Sequence, residues 1–443
     1  MAEIAPFRGL RYHTEKPEEL AGVVIPPYDV ISPEEQELFY HVSPYNMIRL
    51  ELGNTTSEDN GTNNPHTRAA KYLLDWQQAG VLVRDEQPAL YYYELDYPFT
   101  EGLRQTRYGF ICILRLQDFS SGFVRPHEKT FQAIKDERLG LMLACQANLS
   151  PVFALYSDPS MVVDHTLKLG REPMPVISFM DRAGMKHRLW RVVNPEPIHQ
   201  VTRLMLDKPI YIADGHHRYE TALNYRSIQR RRQGTASANA PFEYIMMYLS
   251  NLDQGGLMIL PTHRLLKHLG SWEPQRFLHK ASAYFDVLCY EPTLPGQLKW
   301  REDLEKGRSA GEALFGLHWR EAEAFYLLRA RPEEVSSYLA AHGVDDVLRS
   351  LDVVILDQLL LRHLLELSDA FLANEHNIHF KQDLPEAVSA VQSGTYEIGF
   401  FINPTRIEQV QKVAGAGLIM PHKATYFYPK VGSGLVIYPL GAA

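Results

Sequence analysis

The sequence predicts an α+β fold with a mixed sheet at its core and a further α+β region, and three observations carry that prediction. Two long apolar and aromatic runs, Leu90 to Tyr97 and Leu103 to Leu116, flank Thr100-Glu101-Gly102 and read as a β-hairpin. A short apolar run, Ile210 to Ala213, passes through Asp214-Gly215 into a helical pattern from about Arg218 to Gln233, closed by Gly234. A separate block, Trp272 to about Arg349, mixes helix and strand patterns of its own. On this reading residues 1–268 form the core, 269–349 an accessory α+β region, and 350–443 a C-terminal segment that returns to the core and its pocket.

Taken in order, Phe7 to Tyr12 reads as a strand, and Val23 to Ile31 as an extended connection because Pro26-Pro27 forbids helix. Tyr28 and Asp29 are presented on that stiff backbone. Ser32 and Glu35 form a capping box for the next helix. Asn46 to Leu52 reads as a strand, 53–65 as a polar loop, and His66 to Gln78 as a helix with Ala69, Tyr72, Leu73 and Trp76 on its apolar face. After the hairpin, a helix from about Lys135 to Asn148 precedes a strand at Val152 to Tyr156, and Glu172 to Val193 carries a weaker strand pattern. Thr235 to Pro241 is a small-residue linker between the central helix and strands at Phe242 to Leu249 and Leu257 to Leu260. His263 and Arg264 then either cap a short helix at Leu265 to Leu269 or join a pocket.

In the accessory region helices are expected at Pro274 to Phe285 and Pro332 to Ala341, around strands at Ala313 to Trp319 and Ala324 to Arg329. Leu351 to Leu367 is an amphipathic helix whose leucines belong to the core. The chain closes with a strand at Gly399 to Ile402, a helix at Thr405 to Val413 and an extended segment from Met420 to Lys430.

Composition narrows the classes. The 443 residues exceed one ordinary core, so two or three domains are expected; 45% are hydrophobic and 22% charged, as in a folded soluble enzyme. The net charge of −8 argues against a chain that coats nucleic acid or anionic membrane, while leaving room for a local basic pocket. Cys112, Cys145 and Cys289 have no paired metal-ligand spacing and read as buried thiols in a reducing compartment. Neither a basic leader with an apolar run nor a bilayer-length apolar stretch is legible, so a cytoplasmic address is expected.

Three segments hold the chemistry. In Asp214-Gly215-His216-His217-Arg218 the free N–H groups of a helix start form an anion site, Arg218 adds a planar fork of donors, the histidines titrate near neutrality, and Asp214 can take a proton or hold a cation. A capping Asp with structural histidines is the plainer reading, but four such side chains on one turn favour function. In His127-Glu128-Lys129-Thr130, with Arg138 following, one loop offers a base, a carboxylate, a point cation and a hydroxyl, the inventory of phosphoryl transfer. Lys423, Thr425 and Lys430 flank Tyr426, Phe427 and Tyr428 in an extended run able to face a groove.

These segments resemble the domain of unknown function 1015 family. The likeness rests on Pro-Pro-Tyr-Asp-Val-Ile at 26–31, the His-Glu-x-Thr box with Arg138, the Asp214 to Arg218 turn, and the Met-Pro-x-Lys ending. In that ending Ala424 stands where Ser is usual, so Thr425 would have to carry any phosphate contact. The central box is also similar to those of ParB-like chromosome-partition proteins, sulfiredoxins and archaeal free-serine kinases, where turn and helix start hold nucleotide phosphates.

The resemblance implies a ParB/sulfiredoxin-like core and a phosphotransferase using ATP, ADP or pyrophosphate on a small hydroxylated metabolite, with L-serine as the candidate acceptor. Asp214, Gly215 and Arg218 would cradle the donor, His127 or Glu128 would take the acceptor proton, and Lys129, Lys423 and Lys430 would neutralise charge. Thr130 and Arg138 join the phosphate set, His216 and His217 the catalytic set, and Tyr28, Asp29, His263 and Arg264 the substrate pocket. Mg²⁺ is implied by phosphate chemistry, although no ligand cage is legible. The partners expected are a small-molecule substrate and a phosphate donor, without membrane or nucleic acid, and a homodimer is left open. The alternatives are a ParB-like nucleotide-binding regulator or DNA-associated protein, and a phosphohydrolase. The regulator needs a helix-turn-helix and a basic face, and Arg230-Arg231-Arg232 is only a short cluster.

Overall fold

A computed structural model describes residues 1–441 apart from Glu15, Glu101, 234–237, Ser271 and Glu375. The expected helix stop at Gly234, the linker start at Thr235 and the turn residue Glu101 lie outside the described residues. The chain forms two compact units. Unit 1 comprises Met1–Pro126, Thr130–Leu257 and Pro429–Ala443; unit 2 comprises His127–Lys129 and Met258–Tyr428.

Among its described residues, unit 1 is built on a nine-stranded mixed sheet. From one edge the strands run Val124–Arg125, Ile210–Asp214, Val152–Tyr156, Tyr244–Asn251, Leu103–Arg115, Leu90–Thr100, Lys186–Val192 and Ile177–Met180, with Ile4–Ala5 pairing Leu103–Arg115. Two pairings are parallel, Ile210–Asp214 with Val124–Arg125 and Tyr244–Asn251 with Val152–Tyr156; the others are antiparallel. The expected hairpin is the long antiparallel pair at the centre. Alternation sends Tyr92, Phe110, Cys112, Ala154, Tyr156 and Met247 to one face, where Val163 and Leu167 of helix Val162–Gly170 and Ile198, Val201 and Met205 of helix Pro195–Met205 cover them. Arg107, Phe153 and Tyr248, one register position away, belong to the other face.

Several local expectations differ. Asn46 to Leu52, expected as a strand, contains the helix Ile48–Glu51, because the Asn46 Oδ1 accepts from Ile48 N at 2.9 Å and turns the chain. Met47, Ile48 and Leu50 are all fully buried, so the apolar run carries no in-out alternation to read. Tyr28–Val30 is a single 3₁₀ turn after an extended Pro27, not continuous extended chain. The helix Val162–Gly170 was not anticipated.

Unit 2 holds a six-stranded antiparallel sheet in the order Phe285–Tyr290, Phe325–Ala330, Leu314–Trp319, Ile398–Ile402, His263–Leu266, Ile378–Lys381. Trp300 and Leu304 of helix Leu294–Ala310 and Ala387, Val388 and Val391 of helix Leu384–Gln392 pack on it. Here His263–Leu266 is an interior strand buried at every position, which corrects the helix expected at Leu265 to Leu269. The helix expected to run to Phe285 ends at Ala281, and Phe285 opens the edge strand. Pro295, Gly296 and Gly307 masked the helix Leu294–Ala310 in the sequence. Leu351 to Leu367 is helical as expected, but passes from α geometry at Asp352–Ile355 into a π-helix at Leu356–Leu364. Cys112 and Cys145 are buried, while Cys289 is exposed, which corrects its reading as a core thiol.

Candidate functional site

The central turn of unit 1 is assembled by a bulge and a glycine. The pairing of Ile210–Asp214 with Val152–Tyr156 slips between Ile212 and Asp214, and helix His216–Gln233 starts two residues after Asp214. Gly215 has φ +88°, and a Cβ there would lie 2.8 Å from Arg218 Nε. Only glycine allows both the backbone and the guanidinium to occupy this space. Arg218 donates from Nη2 to Asp214 Oδ2 at 2.6 Å and from Nη1 to the Pro151 carbonyl, while its buried Nε has no partner among the described residues. Lys430 donates to the other Asp214 oxygen. Burial works to lower the Arg218 pKa, but Asp214, Tyr28, Asp29 and Glu51 outweigh it and hold the guanidinium above its ordinary value.

A second buried guanidinium stands beside the first. Arg138, in helix Gln132–Cys145, bonds Glu137 and reaches the Glu51 carbonyl at 3.0 Å and Glu51 Oε2 at 3.2 Å. Its guanidinium carbon lies 4.1 Å from the Tyr28 ring centroid. Burial raises the Tyr28 phenol pKa, with Arg138 and Arg218 pulling it back. Arg138, Arg218, Glu51, Asn148, Ser150 and Thr221 are among the residues lining a small cavity of about 40 Å³. Thr130 and His217, also expected in the site, are bonded to neighbouring residues of unit 1. Glu220 accepts from Thr130 Oγ1 at 2.9 Å and Lys135 Nζ at 2.8 Å, and Phe131 N donates to His217 Nε2 at 3.0 Å. His216 is buried at the helix start, and Asp29 is exposed on its 3₁₀ turn.

Sequence reading missed Glu51, Lys135, Glu220 and Arg107. Arg107 is fully buried, donates to the Pro429 carbonyl next to Lys430, and stacks on Phe153 and Tyr248 at 4.7 and 5.3 Å. Its Nε and Nη2 have no partner among the described residues. The available signal was a charge inside an apolar hairpin strand.

The other expected residues lie in unit 2, where they form their own network. His127 is fully buried, with Nε2 2.9 Å from Thr425 Oγ1. Glu128 Oε1 accepts from Lys423 N at 3.0 Å and lies 3.0 Å from His422 Nδ1. Lys423 sits at φ +54°, a costly conformation for a side-chain-bearing residue, held by that bond and by Thr262 Oγ1 at 2.7 Å and Arg264 Nη2 at 3.0 Å on its carbonyl. Burial brings the Arg264 pKa down to about 10. Burial and then Arg264 push the His263 pKa down to about 3, and His263 Nδ1 accepts from Ile402 N at 3.2 Å. Lys129 is exposed and feels Asp369.

The carboxylates of the unit 1 site do not suit a resident divalent cation. Both Asp214 oxygens face cations, Glu51 faces Arg138, and Glu220 faces Lys135. No cluster of three acidic, histidine or cysteine ligands occurs among the described residues.

A family model described as "Protein of unknown function (DUF1015)" matches residues 4–354. The chain belongs to the DUF1015 family. That span contains the Tyr28 connection, the His127 loop and the Asp214 turn, while the Met420 to Lys430 segment lies beyond it. No curated protein matches this DUF1015 chain. Solved structures similar to it include a mutant free serine kinase in complex with AMP, at 12% identity and TM-score 0.33 over 71% of this chain and 89% of that one. Another mutant of that kinase, in complex with ADP, gives 13% identity and TM-score 0.32 with the same coverage. C-terminally truncated SbnI from Staphylococcus aureus gives 8% and 0.35, over 72% of this chain and 84% of that one. Among the described residues no helix is long and apolar enough to cross a membrane.

Proposed function

We propose that this DUF1015 protein is a phosphotransferase whose unit 1 turn binds the phosphates of a nucleotide or pyrophosphate donor and passes a phosphoryl group to a small hydroxylated metabolite. One observation carries the reading. Arg218 and Lys430, both mostly buried, converge on Asp214 at the start of a helix, with Arg138 lining the same cavity as Arg218. Buried cations around one aspartate cost more than a structural turn requires, and an incoming phosphate gives them a better partner.

On this reading Arg218 offers its fork and Lys430 its point charge to the donor phosphates, with the helix-start N–H groups behind them. As the cations turn to phosphate, Asp214 is released to accept the acceptor's hydroxyl proton. The acceptor oxygen bonds to the transferred phosphorus as the bond from phosphorus to the donor's bridging oxygen breaks, and the shortened donor leaves with the electron pair. L-serine is the acceptor we propose, on the likeness of the Asp214 to Arg218 box to that of the free-serine kinases. Asp214 takes this proton in the proposed reaction, so His127 and Glu128, expected as proton acceptors from the family motif, carry no step here.

The test is incubation of the purified protein with labelled ATP, ADP or pyrophosphate and an amino-acid mixture. Labelled phosphoserine supports the reading. Free phosphate as the sole product assigns a phosphohydrolase, and neither product overturns catalysis at this turn.

A further inference from the structure

A second cleft in unit 1, of about 440 Å³, shares no residue with the Asp214 turn. Its floor is one cross-strand row on the helix-covered face of the sheet, in which Glu94 pairs with Tyr108 on one side and Arg188 on the other. The next row inward, Tyr92 between Phe110 and Trp190, closes it with aromatic rings. Its wall is helix Val162–Gly170, which contributes Asp164, His165 and Lys168, with Met161 preceding it.

The charges in this cleft are incompletely matched. Glu94 is held by Arg171 at 2.9 Å and Arg188 at 3.0 Å, while the buried Nε of Arg188 has no partner among the described residues. Asp164, only 4% exposed, accepts from the neutral donors Asn251 Nδ2 at 2.9 Å and Tyr156 Oη at 3.3 Å. Among the described residues no ion pair joins Asp164 to a cation, and Asp158 is a like charge acting on it. A buried carboxyl group held only by neutral donors is costly, and Asp164 is among the residues lining the cleft. Lys168 stands one helical turn along from Asp164, with its ammonium exposed at the rim.

We propose that this cleft binds a small zwitterion of amino-acid size, its ammonium against Asp164 and Glu94 and its carboxylate against Lys168 and the open side of Arg188. The tyrosines Tyr92 and Tyr108 flank the carbon skeleton between the two charges. A simple anion would meet two carboxyl groups and a simple cation would meet Lys168 and Arg188, whereas a zwitterion satisfies both ends. The site is independent of the phosphotransfer reading.

The experiment is ligand-observed NMR on the full-length protein with the standard amino acids as probes, followed by calorimetric titration of the strongest binder. Lys168→Ala, at an exposed position, and Asp164→Asn should each weaken binding by about tenfold or more. The matching amine without its carboxylate should also lose binding, and Arg218→Ala should leave it unchanged. The proposal fails if no amino acid binds at millimolar concentration, or if binding survives both cleft substitutions. It also fails if Arg218→Ala abolishes binding that Lys168→Ala spares, which would place the ligand in the Asp214 turn.

Discussion

Asp214 and Arg218 were legible as residues of one turn across a strand-to-helix switch, and their ion pair, between residues four apart, is what the structure adds. Gly215 was legible for the same reason. Replacing it with alanine should cost on the order of 1–2 kcal/mol in backbone strain and push Arg218 off Asp214, which a thermal melt and a phosphate-donor titration would detect together. Arg218→Ala should remain cooperatively folded while losing turnover, and because Lys430 still pairs the other Asp214 oxygen the stability loss should stay below the roughly 3–5 kcal/mol of a carboxylate left wholly unpaired. Lys430 was legible only as a motif residue, because its bond to Asp214 spans 216 positions and no spacing rule reaches that far. Arg107 was passed over because a hairpin strand was read as scaffold. His127 is fully buried beside Thr425, so His127→Gln should lower the melting temperature and leave kcat unchanged, and a large fall in kcat in a folded variant would give it a part in the transfer.

Among the elements, the hairpin, the central helix and the helix Pro332–Ala341 were read near their observed bounds, whereas the helices Ile48–Glu51, Val162–Gly170 and Leu294–Ala310 and the strand His263–Leu266 were not. Ile48–Glu51 and His263–Leu266 are buried on every side, so nothing alternates, and tertiary packing decided their state. The helix Val162–Gly170 carries a testable pH signature. Burial lifts the Asp164 pKa from 3.8 to about 6, with Asn251 and Tyr156 opposing and Asp158 adding to it. The folded state therefore binds this proton more tightly than the unfolded chain, so the contribution is full below about pH 4 and is lost as pH rises through 6. The loss is about 3 kcal/mol at most, at about 1.4 kcal/mol per pKa unit. Asp164→Asn should thus raise the melting temperature at pH 8 relative to wild type, with the gap closing toward pH 4.

For the whole molecule, the overall charge of −8 concealed a local cationic turn, as composition must when one cleft is averaged with a large acidic surface. The family assignment was readable because its motifs are separated and specific. The account turns on whether Asp214, Arg218 and Lys430 form a phosphate-binding turn. The most direct measurement is calorimetric titration of pyrophosphate and ADP into wild type and Lys430→Ala. We predict saturable binding by wild type that weakens by about tenfold or more without the Lys430 ammonium. Absence of binding by wild type, or equal affinity in the two proteins, would contradict the account.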